Sequence, residues 1–224
     1  MPNDYSRLDP ECRLALAYVG AARRDSAAAL FALDAALGAL VAGGSQPMVT
    51  QIKIAWWRDA LARLDSGPPP AEPMLERVAA RLIPVGITGA ELGTLADGWE
   101  HLLSPEPLVG EDLDAFAILR GGRLFGLAAR ALGGVPSPQV ERAGEAWALA
   151  DLARRSRNAE DRAAALDAAR RRLGPDARWP APLRPLGMLA RLARRDAARG
   201  PGRIERQGSP PRMLAMLAHR LTGR

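Results

Sequence analysis

The sequence predicts an all-α fold in a single domain, and three observations lead to that prediction. Ala, Leu and Arg dominate the composition while only 4% of the residues are aromatic, which favours helix over sheet. Apolar residues recur at helical spacing, and glycine and proline separate the periodic segments. With 48% hydrophobic residues among 224, the chain is long enough to bury a substantial core.

Turns rich in glycine and proline divide the chain into a series of predicted helices. Asp9-Pro10 opens the first helix, and Thr88 with Glu91 forms a capping box for the fifth. Acidic residues at the start of the sixth helix suit the positive end of its dipole. The predicted ranges are 10–18, 25–41, 46–64, 71–82, 88–103, 111–132, 138–155, a shorter helix ending near 173, 186–199 and 210–221.

The stretch QPMVTQIKIAWWRDALARL, residues 46–64, is predicted to be the central helix. It carries two apolar stripes, and a helix that is apolar nearly all round belongs inside a bundle. Ser45 is expected to cap its N-terminus, with Pro47 in the first turn. The stripes consist of Ile54, Trp57, Leu61 and Leu64, and of Met48, Ile52 and Trp56.

Charge is distributed unevenly along the chain. Residues 151–224 contain 18 arginines against seven acidic residues, whereas acidic residues outnumber basic ones in residues 1–150. Because helical periodicity continues across each break, residues 1–200 are predicted to form one domain. A basic loop and helix at 201–224 follow as a mobile tail. The basic excess indicates either an anionic partner or a solvated surface.

Residue counts and motifs exclude several kinds of site. The single Cys12 excludes a disulfide framework or a cysteine metal cluster, and phosphate-binding loop motifs do not occur. His101 and His219 stand alone and are predicted to be surface or capping residues. No uninterrupted apolar run reaches the ~18 residues of a membrane span, so we expect a soluble, cytoplasmic protein.

Paired carboxylates are the remaining candidates for chemistry, because acids on facing helices can hold Mg²⁺ and through it a diphosphate. Glu141 and Glu145 lie one helical turn apart, as do Asp97 and Glu100, although an exposed helical face is the simpler interpretation. Asp34 lies in the leucine-rich second helix without an acidic neighbour one turn away. The carboxylate candidates are therefore few.

Two pairs of neighbouring residues have a structural and a ligand-binding interpretation. Trp56 and Trp57 are interpreted as core residues, with a ligand cage as the alternative. Gly121 and Gly122 interrupt the sixth helix at a cost of roughly 1 kcal/mol each, so they admit either a close helix neighbour or a ligand. The sequence does not decide between these interpretations.

Three segments resemble the squalene/phytoene synthase family. ALFALDAALGALV, a Gln-Pro turn and IKIAWWRDAL are similar to its N-terminal half. ILRGGRLFGLAARALGG resembles its small-residue helix, and GEAWALADLARR resembles the helix that carries its second acidic motif. The resemblance covers about residues 13–198 and implies a helical bundle of the isoprenoid synthase type with an internal pocket.

Both acidic motifs of that family are missing at the corresponding positions. The segment GALVA at 38–42 has no carboxylate, and Arg155-Ser156-Arg157 is basic where the second motif has aspartates. The chain therefore resembles the divergent branch that includes the mitochondrial complex I assembly factor. That resemblance implies an assembly or scaffold factor, or binding of an isoprenoid-like lipid, without catalysis, metal or cofactor.

The sequence thus predicts a non-catalytic protein that binds a partner protein or an isoprenoid-like lipid, with peripheral contact to the inner membrane as an option. The alternative is an active prenyl transferase in which Asp34, Glu141 and Glu145 hold Mg²⁺ and Arg154 or Arg155 holds diphosphate. Nucleic-acid binding is ranked last because no recognition motif occurs. The predicted ligand pocket consists of Trp56, Trp57, Gly121, Gly122, Arg154 and Arg155.

Overall fold

The computed structural model describes residues 8–44, 46–105, 107–108 and 110–224, and these residues form helices and no strand. The all-α prediction is confirmed. The α-helices are α1 Pro10–Ala17, α2 Ala21–Gly43, α3 Pro47–Ala62, α4 Pro73–Arg81, α5 Gly89–Glu100, α6 Gly110–Phe116, α7 Arg123–Ala131, α8 Pro138–Arg155, α9 Ala159–Arg172, α10 Arg184–Arg199 and α11 Pro210–Thr222. Short 3₁₀ turns occur at Arg63–Asp65, Ile83–Val85, His101–Leu103, Ala181–Leu183 and Pro201–Arg203.

Helix starts follow local capping chemistry. The Asp9 carboxylate accepts hydrogen bonds from two backbone N–H groups in the first turn of α1, each with an N···O distance of 2.9 Å. Thr88 and Glu91 form the predicted capping box of α5. The predicted cap Ser45 lies outside the described residues. Gln46 is the N-cap residue of α3 and makes no side-chain capping bond.

Helix α8, rather than α3, occupies the middle of the bundle. It packs against α7, α9 and α10, whereas α3 packs chiefly along α5. One apolar stripe of α3 is buried, but Met48, Ile52 and Trp56 are 74%, 65% and 43% exposed. The prediction that α3 lies inside the bundle is therefore wrong. The pattern shows two apolar stripes but does not show that neighbouring helices cover only one of them.

The predicted sixth helix consists of three pieces, α6, a π-helical segment at Ala117–Gly122, and α7. The backbone of this segment is closely approached from two sides. A Cβ at Gly98 of α5 would lie 2.6 Å from the backbone nitrogen of Arg120. A Cβ at Gly121 would lie 2.7 Å from the Cβ of Ala148 on α8. Close helix packing therefore accounts for Gly121.

The segment 201–224 packs against the rest of the protein. Helix α11 contacts α1 and α10, and the fully buried Arg212 donates to both carboxylate oxygens of Glu11, at 2.5 and 3.0 Å. Arg212 also donates a hydrogen bond to Asp196, whose carboxylate accepts a second hydrogen bond from Arg154 at 3.1 Å. We call Glu11, Arg154, Asp196 and Arg212 the terminal cluster. It joins the two ends of the chain, in contrast to the mobile tail expected from the sequence.

Helix α2 is long and apolar enough to cross a membrane by length and composition alone. Its most apolar window has a mean hydropathy of 1.8, and 56% of that window is buried inside the protein. A core helix of a bundle passes the same test. Charged residues such as Asp34 interrupt the apolar sequence of α2, so no uninterrupted apolar run is involved, and the location of the protein stays a prediction.

Candidate functional site

Three charged side chains from three parts of the chain meet inside the bundle. Asp34 on α2, Arg120 in the π-helical segment and Asp151 on α8 are each only 3–4% exposed. Arg120 donates from Nε and Nη2 to the two carboxylate oxygens of Asp34, both at 3.0 Å. Its Nη2 also donates to Asp151 at 3.0 Å. We call these three residues the core cluster, in which one guanidinium bridges two carboxylates.

Aromatic rings surround the guanidinium of Arg120. Its central carbon lies 4.1 Å from the ring centroid of Trp99, 4.9 Å from that of Trp147 and 5.3 Å from that of Phe116. Trp99 also donates its indole N–H to Asp34 at 2.9 Å. A desolvated cation over an aromatic face gains about 2 kcal/mol, so these rings help to offset the cost of burying the charge.

Arg120 and Asp151 stay ionised at neutral pH. Burial raises the pKa of Asp151, but the positive charges of Arg120 and Arg155 outweigh it and lower the pKa to about 2. Burial lowers the pKa of Arg120, but the two carboxylates raise it above its usual value. Arg155 donates to Asp151 at 2.9 Å, so two guanidinium groups balance two carboxylates.

The structure does not bring Asp34, Glu141 and Glu145 together. Glu145 accepts a hydrogen bond from Arg172 at 2.8 Å and lies beside Gly122, whereas Asp34 is held in the core cluster. Within the described residues, no group of three or more His, Cys, Asp or Glu side chains is arranged to hold a metal ion. The three predicted acids therefore do not form one metal site.

The residues predicted for a ligand pocket lie at separate places. Trp57 is buried and Trp56 is partly exposed, with their rings edge to face and 5.6 Å apart. Arg154 belongs to the terminal cluster, and Arg155 binds Asp151 of the core cluster. The two glycines of the π-helical segment pack against α8. These residues therefore belong to different sets of contacts.

Sequence reasoning missed Arg120 and Asp151, which form the core cluster together with Asp34. Arg120 and Asp151 each lie among apolar residues, although Arg155 follows Asp151 by one helical turn, and a buried charge requires a partner. Charged residues among apolar ones in three helical segments indicate that these segments share one ion cluster. The sequence did not show which of many charged residues are buried.

The two histidines have different environments. His101 is partly exposed, and its Nδ1 lies 3.2 Å from the carboxylate of Asp112. His219 is only 2% exposed, and neither ring nitrogen has a hydrogen-bond partner among the described residues. The prediction that His219 is a surface or capping residue is therefore wrong. His219 lies on the side of α11 that packs against the rest of the protein, so its ring is buried.

Comparison with known proteins gives no assignment: no protein-family model matches the chain, and no curated protein matches it. The features that bear on function are the core cluster and the exposed stripe of α3. The first concerns chemistry inside the bundle, and the second concerns contacts at its surface.

Proposed function

We propose that this chain is a divergent, non-catalytic member of the squalene/phytoene synthase family that acts by binding a partner protein. The observation that carries the proposal is the position of Arg120. Enzymes of that family use carboxylates on facing helices to bind Mg²⁺, whereas here Asp34 and Asp151 bind a guanidinium. Charge-assisted, bidentate pairs are strong, so the two carboxylates are already occupied by a cation of the protein itself.

The packing around Arg120 favours a partner protein over an isoprenoid-like lipid. The rings of Trp99, Phe116 and Trp147 lie within 5.3 Å of the guanidinium, and all three side chains are at most 7% exposed. Side chains are thus packed closely around the guanidinium, which leaves little room beside the core cluster for an internal hydrocarbon chain. A lipid would need these rings to move apart.

An exposed apolar stripe on α3 supports contact with a partner protein. Met48, Ile52 and Trp56 follow one another at four-residue spacing, and Val49 beside them is 43% exposed. Contiguous apolar surface of this kind marks interaction sites, and Met and Trp are enriched in the centres of interfaces. We define the α3 stripe as Met48, Val49, Ile52 and Trp56, and propose it as the partner surface.

Catalysis is tested with the chain, Mg²⁺ and either farnesyl or geranylgeranyl diphosphate, by measuring released diphosphate. We expect no release above that of a protein-free blank, because Arg120 occupies both carboxylates. The prenyl transferase alternative requires Mg²⁺ to displace this guanidinium. Mg²⁺-dependent release at an enzyme-like rate would refute the proposal, and its disappearance in Glu141→Gln and Glu145→Gln would establish that alternative.

The partner surface is tested by placing a photo-cross-linking amino acid at Ile52, with Leu221 on α11 as the control site. Leu221 is 80% exposed and belongs to another helix, so it reports non-specific contact. A protein captured only from Ile52 is then purified and titrated against the chain. We expect Ile52→Glu to weaken its binding at least tenfold and Leu221→Glu to leave it within twofold; equal binding by both variants contradicts the proposal.

A further inference from the structure

A cavity of about 280 Å³ opens where the start of α8, the end of α9, α10 and α11 meet the irregular segment 173–180. None of the core-cluster residues lines it. Its walls combine apolar side chains with a strongly basic set. The apolar lining includes Pro138, Ala143, Leu173, Ala177, Trp179 and Ala190. We call it the α8–α11 cavity.

His219 is a buried polar side chain in this lining. Its ring stands against Gly187 of α10, where a Cβ would overlap Nε2, and Trp179 packs edge-on with centroids 6.3 Å apart. Neither ring nitrogen makes a well-formed hydrogen bond with the described residues, although the backbone of Arg224 is close enough to raise the pKa of the ring. Buried polar atoms are nearly always paired, so this ring has capacity for a further hydrogen bond with a ligand in the cavity.

The ring of His219 is neutral at physiological pH. Burial is the main cause that lowers its pKa to about 4, with the positive charge of Arg191 adding to it. A neutral imidazole offers one donor and one acceptor. It therefore hydrogen-bonds a ligand without adding a charge.

The charged lining of the cavity is predominantly positive. Four arginines contribute to it and Asp176 opposes them, while Arg172 is already paired with Glu145 and Asp114. Arg142 is exposed and has no partner among the described residues, whereas Arg194 donates to the Gly174 carbonyl at 2.7 Å. Arg191 lies 3.4 Å from Asp176. Arg142 is thus free to bind an anion.

We propose that the α8–α11 cavity binds a small amphipathic organic anion, with an apolar body and one phosphate or carboxylate group. Arg142 binds the anionic group, since its guanidinium matches these oxygens in charge and geometry. The apolar body packs against Trp179 and Leu173, and His219 hydrogen-bonds the ligand. This site is independent of the core cluster and of the α3 stripe.

The proposal is tested by calorimetric titration of the full chain with octyl phosphate and octanoate. Two variants alter the cavity: Arg142→Glu reverses the free charge, and Ala177→Phe fills the space from the irregular segment without altering a helix. Arg123→Glu is the matched control, because Arg123 is an exposed arginine outside the lining. Circular dichroism and urea unfolding verify that each variant is folded, and Arg142→Glu alone suffices if Ala177→Phe is unstable.

We expect one octyl phosphate or octanoate to bind per chain. The affinity should be at least tenfold lower in both cavity variants, and in Arg123→Glu it should be within twofold of that of the unmodified chain. Inorganic phosphate should bind at least tenfold more weakly than octyl phosphate. Absence of binding at millimolar concentration, equal binding of inorganic phosphate, or unchanged binding by the cavity variants would overturn the proposal.

The same anion chemistry occurs in soluble metabolites and in lipid headgroups, and a flotation experiment distinguishes these sources. The chain is mixed with phosphatidylcholine vesicles that contain phosphatidic acid. Flotation that Arg142→Glu abolishes identifies a lipid as the source. Binding of octyl phosphate without flotation identifies a soluble anion, and either result supports the site.

Discussion

Arg120 is an arginine in the interior of a helical bundle, where its charge is balanced by carboxylates of two different helices. Burying ions is costly, and an apolar replacement of the whole set is often neutral or stabilising. The more specific consequence is geometric. The hydrogen bonds of the core cluster form only when α2, α8 and the π-helical segment are in register, so we expect the cluster to select this arrangement over other packings.

Asp151→Asn tests how strongly the core cluster is coupled to folding. The change leaves Arg120 and Arg155 without one of their charged partners, so we expect a loss of about 3–5 kcal/mol in the free energy of unfolding. Urea unfolding followed by circular dichroism measures it. Asp59→Asn is the control, because this carboxylate is 64% exposed and its pair with Arg58 contributes less than about 1 kcal/mol. A loss below about 1 kcal/mol in Asp151→Asn would contradict this view of the cluster.

His219 predicts a specific pH dependence of stability. Its pKa is about 4 in the folded protein and about 6.5 in an unfolded chain, so the unfolded state binds more protons between these values. Stability therefore decreases as the pH falls from about 6.5 to about 4. We expect this residue to contribute on the order of 2 kcal/mol to the decrease, because solvent at the cavity mouth screens part of the shift.

The measurement is the unfolding free energy of the unmodified chain and of His219→Gln at several pH values between 4 and 7. The difference between the two should diminish as the pH falls. His101→Gln serves as a control for the other histidine. Parallel curves for the unmodified chain and His219→Gln would show that His219 does not bind an extra proton on unfolding.

At the scale of elements, the helices are largely predictable and their packing is not. Helix α8 has the predicted bounds, and α5 begins at its predicted capping box. These features depend on residues close in sequence. The π-helical segment was not predicted, because Gly121-Gly122 indicates a close approach but not an altered hydrogen-bond pattern. The exposure of one α3 stripe likewise depends on which helix packs against it.

Gly144→Ala tests the close contact between α8 and the π-helical segment. A Cβ at this position would overlap the Gly121 carbonyl and lie 2.7 Å from Phe125 Cβ. We expect a loss of about 1–3 kcal/mol from overpacking, measured by urea unfolding. Gly43→Ala is the control, since its new Cβ meets nothing within 4 Å and its stability should change by less than about 1 kcal/mol. Equal stability of both variants would argue against a tight contact.

At the scale of the whole molecule, two ion clusters join distant parts of the chain. The core cluster joins residues 34, 120 and 151, and the terminal cluster joins α1 to α8, α10 and α11. The sequence contained a signal in Asp34, a lone charge among leucines. It did not identify the partners, because pairing over such separations depends on the tertiary fold. Residues 201–224 were assigned to a tail for the same reason, although Arg212 is buried.

Arg212→Ala tests whether the terminal cluster holds α11 in place. The variant leaves Glu11 and Asp196 without their shared buried partner, so we expect a loss of about 3–5 kcal/mol and faster amide hydrogen exchange throughout α11. Hydrogen exchange with mass spectrometry measures this region directly. Arg206→Ala, at an exposed position, should leave both quantities unchanged. Unchanged exchange in α11 of Arg212→Ala would mean that apolar packing alone holds the helix.

The most direct test of the core cluster is urea unfolding of the full chain with and without 10 mM MgCl₂ and farnesyl diphosphate. A ligand present at about 100 times its Kd would raise the free energy of unfolding by about 2.7 kcal/mol. The guanidinium of Arg120 already satisfies Asp34 and Asp151, so we expect the same unfolding midpoint in both conditions. A higher midpoint with both ligands that is absent in Asp151→Asn would contradict the account, because it would mean that Mg²⁺ and diphosphate bind at the core cluster.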